Sequence, residues 1–568
     1  MQRIVLAIVL IVGLWVGPAV APAAAQGPAA PAANATVGTG TPASCTADTL
    51  NAALALVQNS GGGTLSFDCG AAPHTIVVSP TLLITTTVII DGGSLGAITL
   101  SGGNLRRVIT VNSGSWLSLL NLVLTAGVVS DGYGGCLYTA SALTQLDNVI
   151  VHTCRTGLPL AEATTLTGGP GLGEGTTSIG GAIANIGGTL TLSGSQVLSS
   201  TADTGAGLFS SNQLQMYTTR VAGNHAQYNG GGLAVAGNGF ITGSLIEHNT
   251  ANTGGGLDTF QTTDLTLENS HFYSNTANVS GGGLYSDNLL TITGSVFDHN
   301  FAGTDGGGLY VYTGTTTITD TVFSSNYALN VGGGLFLHGG FFNLRRSLVD
   351  ANISEGDGGG VGNDNTRATL TAVTISRNVA DDDGGGYYDT GFGWSVLTNV
   401  TVSGNQAGSW GGGIKSVMPL TMTNVTVAFN AAQTSGGGFY RTNNIYPYTW
   451  VNVLLAGNTA SGGTFNCTGA LPNSDSNSLS SDPTCVGVSG VNAALPLGPL
   501  QVNGSLAGLP LPTHLSLPGS EALDGGSNLG CPATDQRGVA RPIGAHCDVG
   551  AVENGGVLPW LWLPQMVR

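Results

Sequence analysis

The stretch Ser280–Asn300, SGGGLYSDNLLTITGSVFDHN, decides the fold. Three consecutive glycines, Gly281–Gly283, weaken any regular element, because glycine loses the most conformational freedom on folding. Yet a near-copy follows at once, DGGGLYVYTGTTTITDTVFSSN, from Asp305 to Asn326. With the residue after each glycine cluster as a marker, Ile183, Leu208, Leu233, Leu257, Leu284, Leu309, Leu335, Val361, Tyr387, Ile414 and Phe439 recur every 24 to 27 residues. A fixed period of this size is the mark of a solenoid. No 3.6-residue apolar periodicity supports a helix in each repeat, and the L-x-x-L-x-L pattern of leucine-rich repeats is missing.

Within the repeat, Leu284 opens one strand. Leu290, Ile292 and Val296 are read as inward, and Thr291, Thr293 and Ser295 as outward, on the period of two that strands impose. Three short strands per coil, each pairing with the coils above and below, predict an all-β, right-handed parallel β-helix of about 25–26 residues per coil, stacked at about 4.8 Å. An asparagine recurs with the glycines. Asn224, Asn275, Asn300, Asn326, Asn352, Asn378, Asn405 and Asn430 each stand six residues before a glycine cluster, and Asn249 five before. One amide per coil at one turn predicts a side-chain ladder, with asparagine tolerating the left-handed turn conformation.

GGAI at 180–183, with FYSN (272–275), FDHN (297–300) and FSSN (323–326), resembles the GGA[ILV]/FxxN repeats of chlamydial polymorphic outer-membrane proteins. More broadly, residues 75–490 resemble the right-handed β-helices of the pectin-lyase-like superfamily. That fold hosts lyases, hydrolases and inert adhesins alike. The segment PGSEALDGGSNLGCPATDQRGVARPIGAHCDVGAVE (518–553) resembles the terminal segment of choice-of-anchor domains, notably the Q type, which implies an exported surface protein.

The rest of the chain is consistent with export. Arg3, the apolar run Ile4–Val16 and Ala23-Ala24-Ala25 read as a signal peptide over 1–25. Residues 26–43 read as a flexible leader. Residues 44–74 read as an N-terminal cap, built on an amphipathic helix in TADTLNAALALVQNSGGG (46–63) that covers the first coil's open edges. Residues 156–178 double one interval and read as a projecting loop. Residues 491–556 read as a C-terminal cap, and 557–568 as a short apolar tail, too short to span a membrane. Eight cysteines fall into local pairs: Cys45 with Cys69, Cys136 with Cys154, Cys467 with Cys485, and Cys531 with Cys547. An even count in an exported chain predicts disulfides at the two ends of the rod.

The net charge of −17, with only 14 Lys and Arg, argues against nucleic acid and anionic membranes as partners. The expected location is extracellular or on the cell surface. The expected partner is a glycan or protein there, with no transmembrane span in the mature chain. Two candidate sites stand out. Asp350, Glu355, Asp357, Asp364, Asp381, Asp382, Asp383 and Asp389 crowd one region, with Arg345, Arg346, Arg367 and Arg377 among them. Asp357 and Asp383 precede the glycines of adjacent coils, so they stack about 4.8 Å apart and repel unless a cation or proton intervenes. No cofactor is required, but Ca²⁺ is the ion such oxygens suit. Pectate lyases of the resembled fold join Ca²⁺ carboxylates to a basic arginine. A lyase or glycoside hydrolase would therefore need Arg345, Arg346 or Arg377 to converge on Asp357, Asp381 or Asp383 in a lateral groove. The second site is an outward aromatic column, Tyr285, Tyr310, Phe336, Tyr388 and Tyr440, suited to sugar rings or a protein partner. No serine elbow of the G-x-S-x-G kind is present. The leading expectation is a non-catalytic adhesive, structural or glycan-binding protein. A polysaccharide lyase or glycoside hydrolase acting on an acidic glycan is the alternative.

Overall fold

The computed structural model describes residues 33–554, apart from 131, 158–177, 261–263, 443–444, 462, 470–471 and 505–508. The signal peptide, the apolar tail and all but the ends of the projecting loop lie outside the described residues. The chain is a right-handed parallel β-helix. Among the described residues it has one α-helix.

The coil that begins in the quoted stretch carries four strands: Leu284–Ser286, Leu289–Thr293, Val296–Asp298 and Phe301–Ala302. The fourth was not expected. It exists because the chain between each asparagine and the next glycines stays extended long enough for two residues to pair with the coils on either side. Register is strict from coil to coil: Leu284 faces Leu309, and Leu309 faces Leu335. Leu290 and Ile292 point inward. Val296 does not: Phe297 takes the core position, and Ser295 is buried with its hydroxyl accepting the Ser270 N–H at 3.2 Å. Gly294 explains the switch, since its φ of 61° turns the chain and resets the alternation. Inside the rod Phe272, Phe297 and Phe323 stack face to face at 4.7 and 4.9 Å.

The asparagines form a continuous ladder through the buried turn. Asn275 Nδ2 donates to Asn300 Oδ1 at 3.0 Å, and Asn300 Nδ2 to Asn326 Oδ1 at 2.9 Å. Asn326, Asn352, Asn378, Asn405 and Asn430 continue it to Asn458 and Asn466. The left-handed residue of each turn is the one before the asparagine: Ser274, His299 and Ser325, at φ of 50°, 56° and 54°. The ladder asparagines are thus chosen for their amides rather than for their backbone.

At the amino end the helix Ala47–Asn59 (α1) starts on a Thr46–Thr49 capping box and buries Leu50, Ala53, Leu54 and Val57. The rod begins earlier than expected. Ala33–Val37, within the stretch read as a leader, pairs in parallel with Gly62–Phe67 and forms the first rung. Disulfides join Cys45 to Cys69, Cys136 to Cys154, Cys467 to Cys485 and Cys531 to Cys547.

The segment after 491 runs back along one flank instead of lying across the end of the rod. Gln536 is its anchor. Its amide donates to the Val373 carbonyl and the Thr374 hydroxyl and accepts from the Thr401 hydroxyl at 2.6 Å. Asn399 donates to the Thr534 carbonyl, Asn424 to that of Asp548, and the Leu509 N–H reaches Asp320. Within this strap the DQRG, RP-G and CDVGAVE residues build a buried charge network. Asp535 holds Arg537, and Arg541 binds Glu553 together with the Asp548 and Gly550 carbonyls. The strap covers a flank because the rod there offers unpaired turn groups, such as the Asn399 and Asn424 amides, that these residues satisfy.

Candidate functional site: a lysine among three carboxylates beside a lateral groove

The glycine-cluster strands present two outward positions per coil. The first position reads, in register, Asp258, Tyr285, Tyr310, Phe336, Gly362, Tyr388, Lys415 and Tyr440. The column is therefore broken: Gly362 and Lys415 interrupt the rings. Tyr285 and Tyr310 stack at 4.9 Å with planes 7° apart, and Phe336 follows at 5.3 Å. Rings stacked along the rod cover one another's faces and leave edges and hydroxyls outward. Tyr285 and Tyr310 cover each other's faces, and Phe336 is tilted 48° to Tyr310. Tyr440 packs instead on Trp410, at 5.7 Å.

Lys415 is the only lysine in the sequence, and the sequence reading passed over it. Its ammonium contacts the Asp383 carboxylate, with the two side chains 10% and 6% exposed. It lies 5.2 Å from the Tyr388 ring centre and 5.3 Å from that of Trp410, a cation–π cage. Asp383 Oδ1 also accepts the Trp410 N–H at 3.0 Å. One coil earlier, Asp357 accepts the Asp383 N–H at 3.0 Å. Burial raises the Asp357 carboxyl above its ordinary range, the Asp383 carboxylate adds to this, and Lys415 offsets part of it. Asp357, Asp382 and Asp383 each bring an oxygen within 4.8 Å of the others, near enough to share one cation. The chain supplies that cation itself. Ca²⁺ takes six to eight oxygens, whereas Asp383 has committed both of its own, one to the Lys415 ammonium and one to the Trp410 N–H. The donor set with Lys415 in place does not fit Ca²⁺.

The arginines are elsewhere. Arg346 makes a two-pronged pair with Asp320 at 2.9 and 2.6 Å, and Arg377 pairs with Asp350. Both arginines sit in left-handed turns beside the three-residue strands, at φ of 45° and 55°. Arg345 is exposed at the end of Phe341–Arg345. None converges on Asp357, Asp381 or Asp383, so the arginine-centred lyase arrangement is not assembled.

Beside the carboxylates a lateral groove of about 410 Å³ runs over three coils, lined by Val379, Asp381, Gln406, Gly408, Ala431 and Gln433 among others. Its origin is legible in register. The outward position of the two-residue strands reads Phe301, Tyr327, Ile353, Val379, Gln406 and Ala431, so rings give way to aliphatic and amide side chains along the rod. Phe301 and Tyr327 fill the surface with stacked rings, whereas Ala431 leaves it open.

Asp258 and Asp389 are fully buried. Asp258, held by Thr253 and Asn229, is pushed up to about 7 by burial, with Asp287 adding to the shift. Asp389 points into the rod, where Ser416 and the Val417 and Met418 N–H groups bind it, and burial pushes it up to about 6. Both folded values lie above the unfolded one of 3.8. Their contribution to stability is full below that value and is lost as pH rises through about 6 for Asp389 and about 7 for Asp258. The thermal midpoint is expected to fall across this window, and Asp258→Asn to remove the upper part of the fall. Scanning calorimetry against pH checks both.

No protein-family profile matches this sequence, and no curated protein matches it. Among solved structures, the pectate lyase Pel9A aligns at 13% identity over 89% of this chain and 90% of its own, with a TM-score of 0.30. The Azotobacter vinelandii mannuronan C-5 epimerase AlgE4 A-module aligns at 11% over 75% and 94%, with a TM-score of 0.24. The AlgE6 A-module aligns at 12% over 75% and 93%, with a TM-score of 0.19. Likeness at these scores bears on neither the site nor its chemistry.

Proposed function

We propose that this protein is an exported β-helix rod that binds a polysaccharide along its flank without cleaving it. The groove over Val379, Gln406 and Ala431 carries the reading. It is open, spans three coils and is lined by small side chains with amide and carboxylate groups, which match the hydroxyls of a glycan chain. Four disulfides support export, since such bonds persist in oxidising compartments. Anchorage at a cell surface rests on the sequence resemblance of 518–553. In affinity electrophoresis against soluble polysaccharides, at least one glycan is expected to retard the chain. Gln406→Ala with Gln433→Ala should weaken binding by about tenfold, at roughly 0.5–1.5 kcal/mol per lost hydrogen bond. No retardation by any polysaccharide would sink the reading.

Lys415 beside three carboxylates favours a second reading, a polyuronate lyase with lysine in place of arginine as the base. Against it, the amine is clamped to Asp383 and caged by two rings. Incubation with polyuronates, with and without Ca²⁺, is expected to give no unsaturated product. Ultraviolet-absorbing ends would displace the binding reading with this one.

A further inference from the structure

Lys415 invites a different question: why a chain with one lysine buries it. The surroundings go beyond an ion pair. The ammonium touches Asp383 Oδ2, and Trp410 N–H holds the other oxygen, Oδ1, at 3.0 Å. Tyr388 and Trp410 wall off water. A third group, Asp357, accepts the Asp383 N–H, has an oxygen within 4.8 Å of an Asp383 carboxylate oxygen, and is bound by the Tyr388 hydroxyl. One proton passed from the ammonium to the carboxylate it touches leaves an amine beside a carboxylic acid, the two partners of an amide.

We propose that Lys415 and Asp383 condense into an isopeptide bond, with Asp357 relaying the proton. The neutral Nζ attacks Asp383 Cγ, and the charge that develops on Oδ1 meets the Trp410 N–H, already aimed at it. Asp357 takes a proton from the attacking nitrogen and passes it to Oδ2. The Cγ–Oδ2 bond breaks and one water leaves, both of its hydrogens having come from the original ammonium. The Nζ–Cγ bond that remains is an amide, and no oxidant or reductant takes part. Asp357 is suited to the relay because burial and the Asp383 carboxylate raise its affinity for a proton.

The link ties the turn of one coil to the strand of the next. It falls within residues 155–466, where the sequence has no cysteine. It lies two coils before the Cys467–Cys485 disulfide, since Lys415 pairs with Tyr440 and Tyr440 with Thr468, and it would add a second covalent tie near that end of the rod. A lysine held as an amide would also be no base.

The test is the intact mass of the full chain after reduction, alkylation and denaturation. The expected mass is one water below that calculated for the mature, alkylated chain. Cleavage at aromatic residues between Tyr387 and Trp410 should leave two peptides joined, one carrying Asp383 and the other Lys415. Lys415→Arg keeps the charge but cannot condense, and should show the full mass. Asp357→Asn should show mostly the full mass. A full-mass wild type, with Lys415 open to amine-labelling reagents, overturns the proposal. So does a water loss confined to the single peptide around Asp383-Gly384, which would be a cyclic imide. Water loss unchanged in Asp357→Asn overturns the relay.

Discussion

Gly282→Ala is expected to keep the chain from assembling at that coil, with loss of soluble protein. A Cβ there would lie 2.4 Å from the carbonyl oxygens of both Phe301 and Gly307. Both are backbone atoms bound into neighbouring rungs, so neither can move aside without breaking the register. The cost belongs to the exceptional class above about 4–5 kcal/mol. Backbone preference is not the cause, because Gly282 does not occupy the left-handed region. A control separates the two effects. Gly194 has a φ of 55°, and a Cβ added there would meet nothing within 4 Å. Gly194→Ala should therefore cost only the left-handed penalty of about 1–2 kcal/mol. Soluble yield and urea midpoints of the two variants, side by side, decide whether space or conformation dictates the glycines.

Arg541→Ala is expected to release the C-terminal strap while leaving the coils standing. Arg541 is almost fully buried and binds Glu553 and the carbonyls of Asp548 and Gly550. Removing it leaves the Glu553 carboxylate, only 1% exposed, without its cation, and takes one donor each from the Asp548 and Gly550 carbonyls, which keep only the Asn424 amide. Breaking a buried pair in this way costs roughly 3–5 kcal/mol. Arg541 and its partners all lie within the strap, so its loss unfolds the strap while the rungs of the rod stay paired to one another. Limited proteolysis should then cut within 491–554, with the far-ultraviolet circular dichroism of the rod unchanged. A resistant strap, or collapse of the whole β signal, would contradict this division.

These two cases mark what could be read in the sequence and what could not. The glycine and asparagine spacings reveal the solenoid because every rung repeats one local requirement, and repetition turns a weak signal into a strong one. Alternation within the coil failed at Val296, since Gly294 resets the inward face and a count by twos runs through it. The acids before the glycines were visible as neighbours. The lysine that answers them was hidden, because it sits 32 residues from Asp383 in sequence, in a position that reads as a gap in an aromatic column. The strap was misplaced for a related reason. Gln536 meets Thr401 across 135 residues, and no local pattern announces which flank a non-repeating segment will satisfy.

The asparagine ladder gives the rod an electrical direction. Every Asn side-chain oxygen accepts from the coil before it, and every rung passes a hydrogen to the coil after it. The amide dipoles therefore align over the whole run and leave a partial positive charge at the carboxyl-terminal end, as aligned peptide units do in a helix. The chain meets that pole with an acid: the last rung, Asn466, gives its N–H to the Asp482 carboxylate at 2.9 Å. A rod shortened from that end would need a carboxylate wherever it stopped, whereas one shortened from the other end would need a donor.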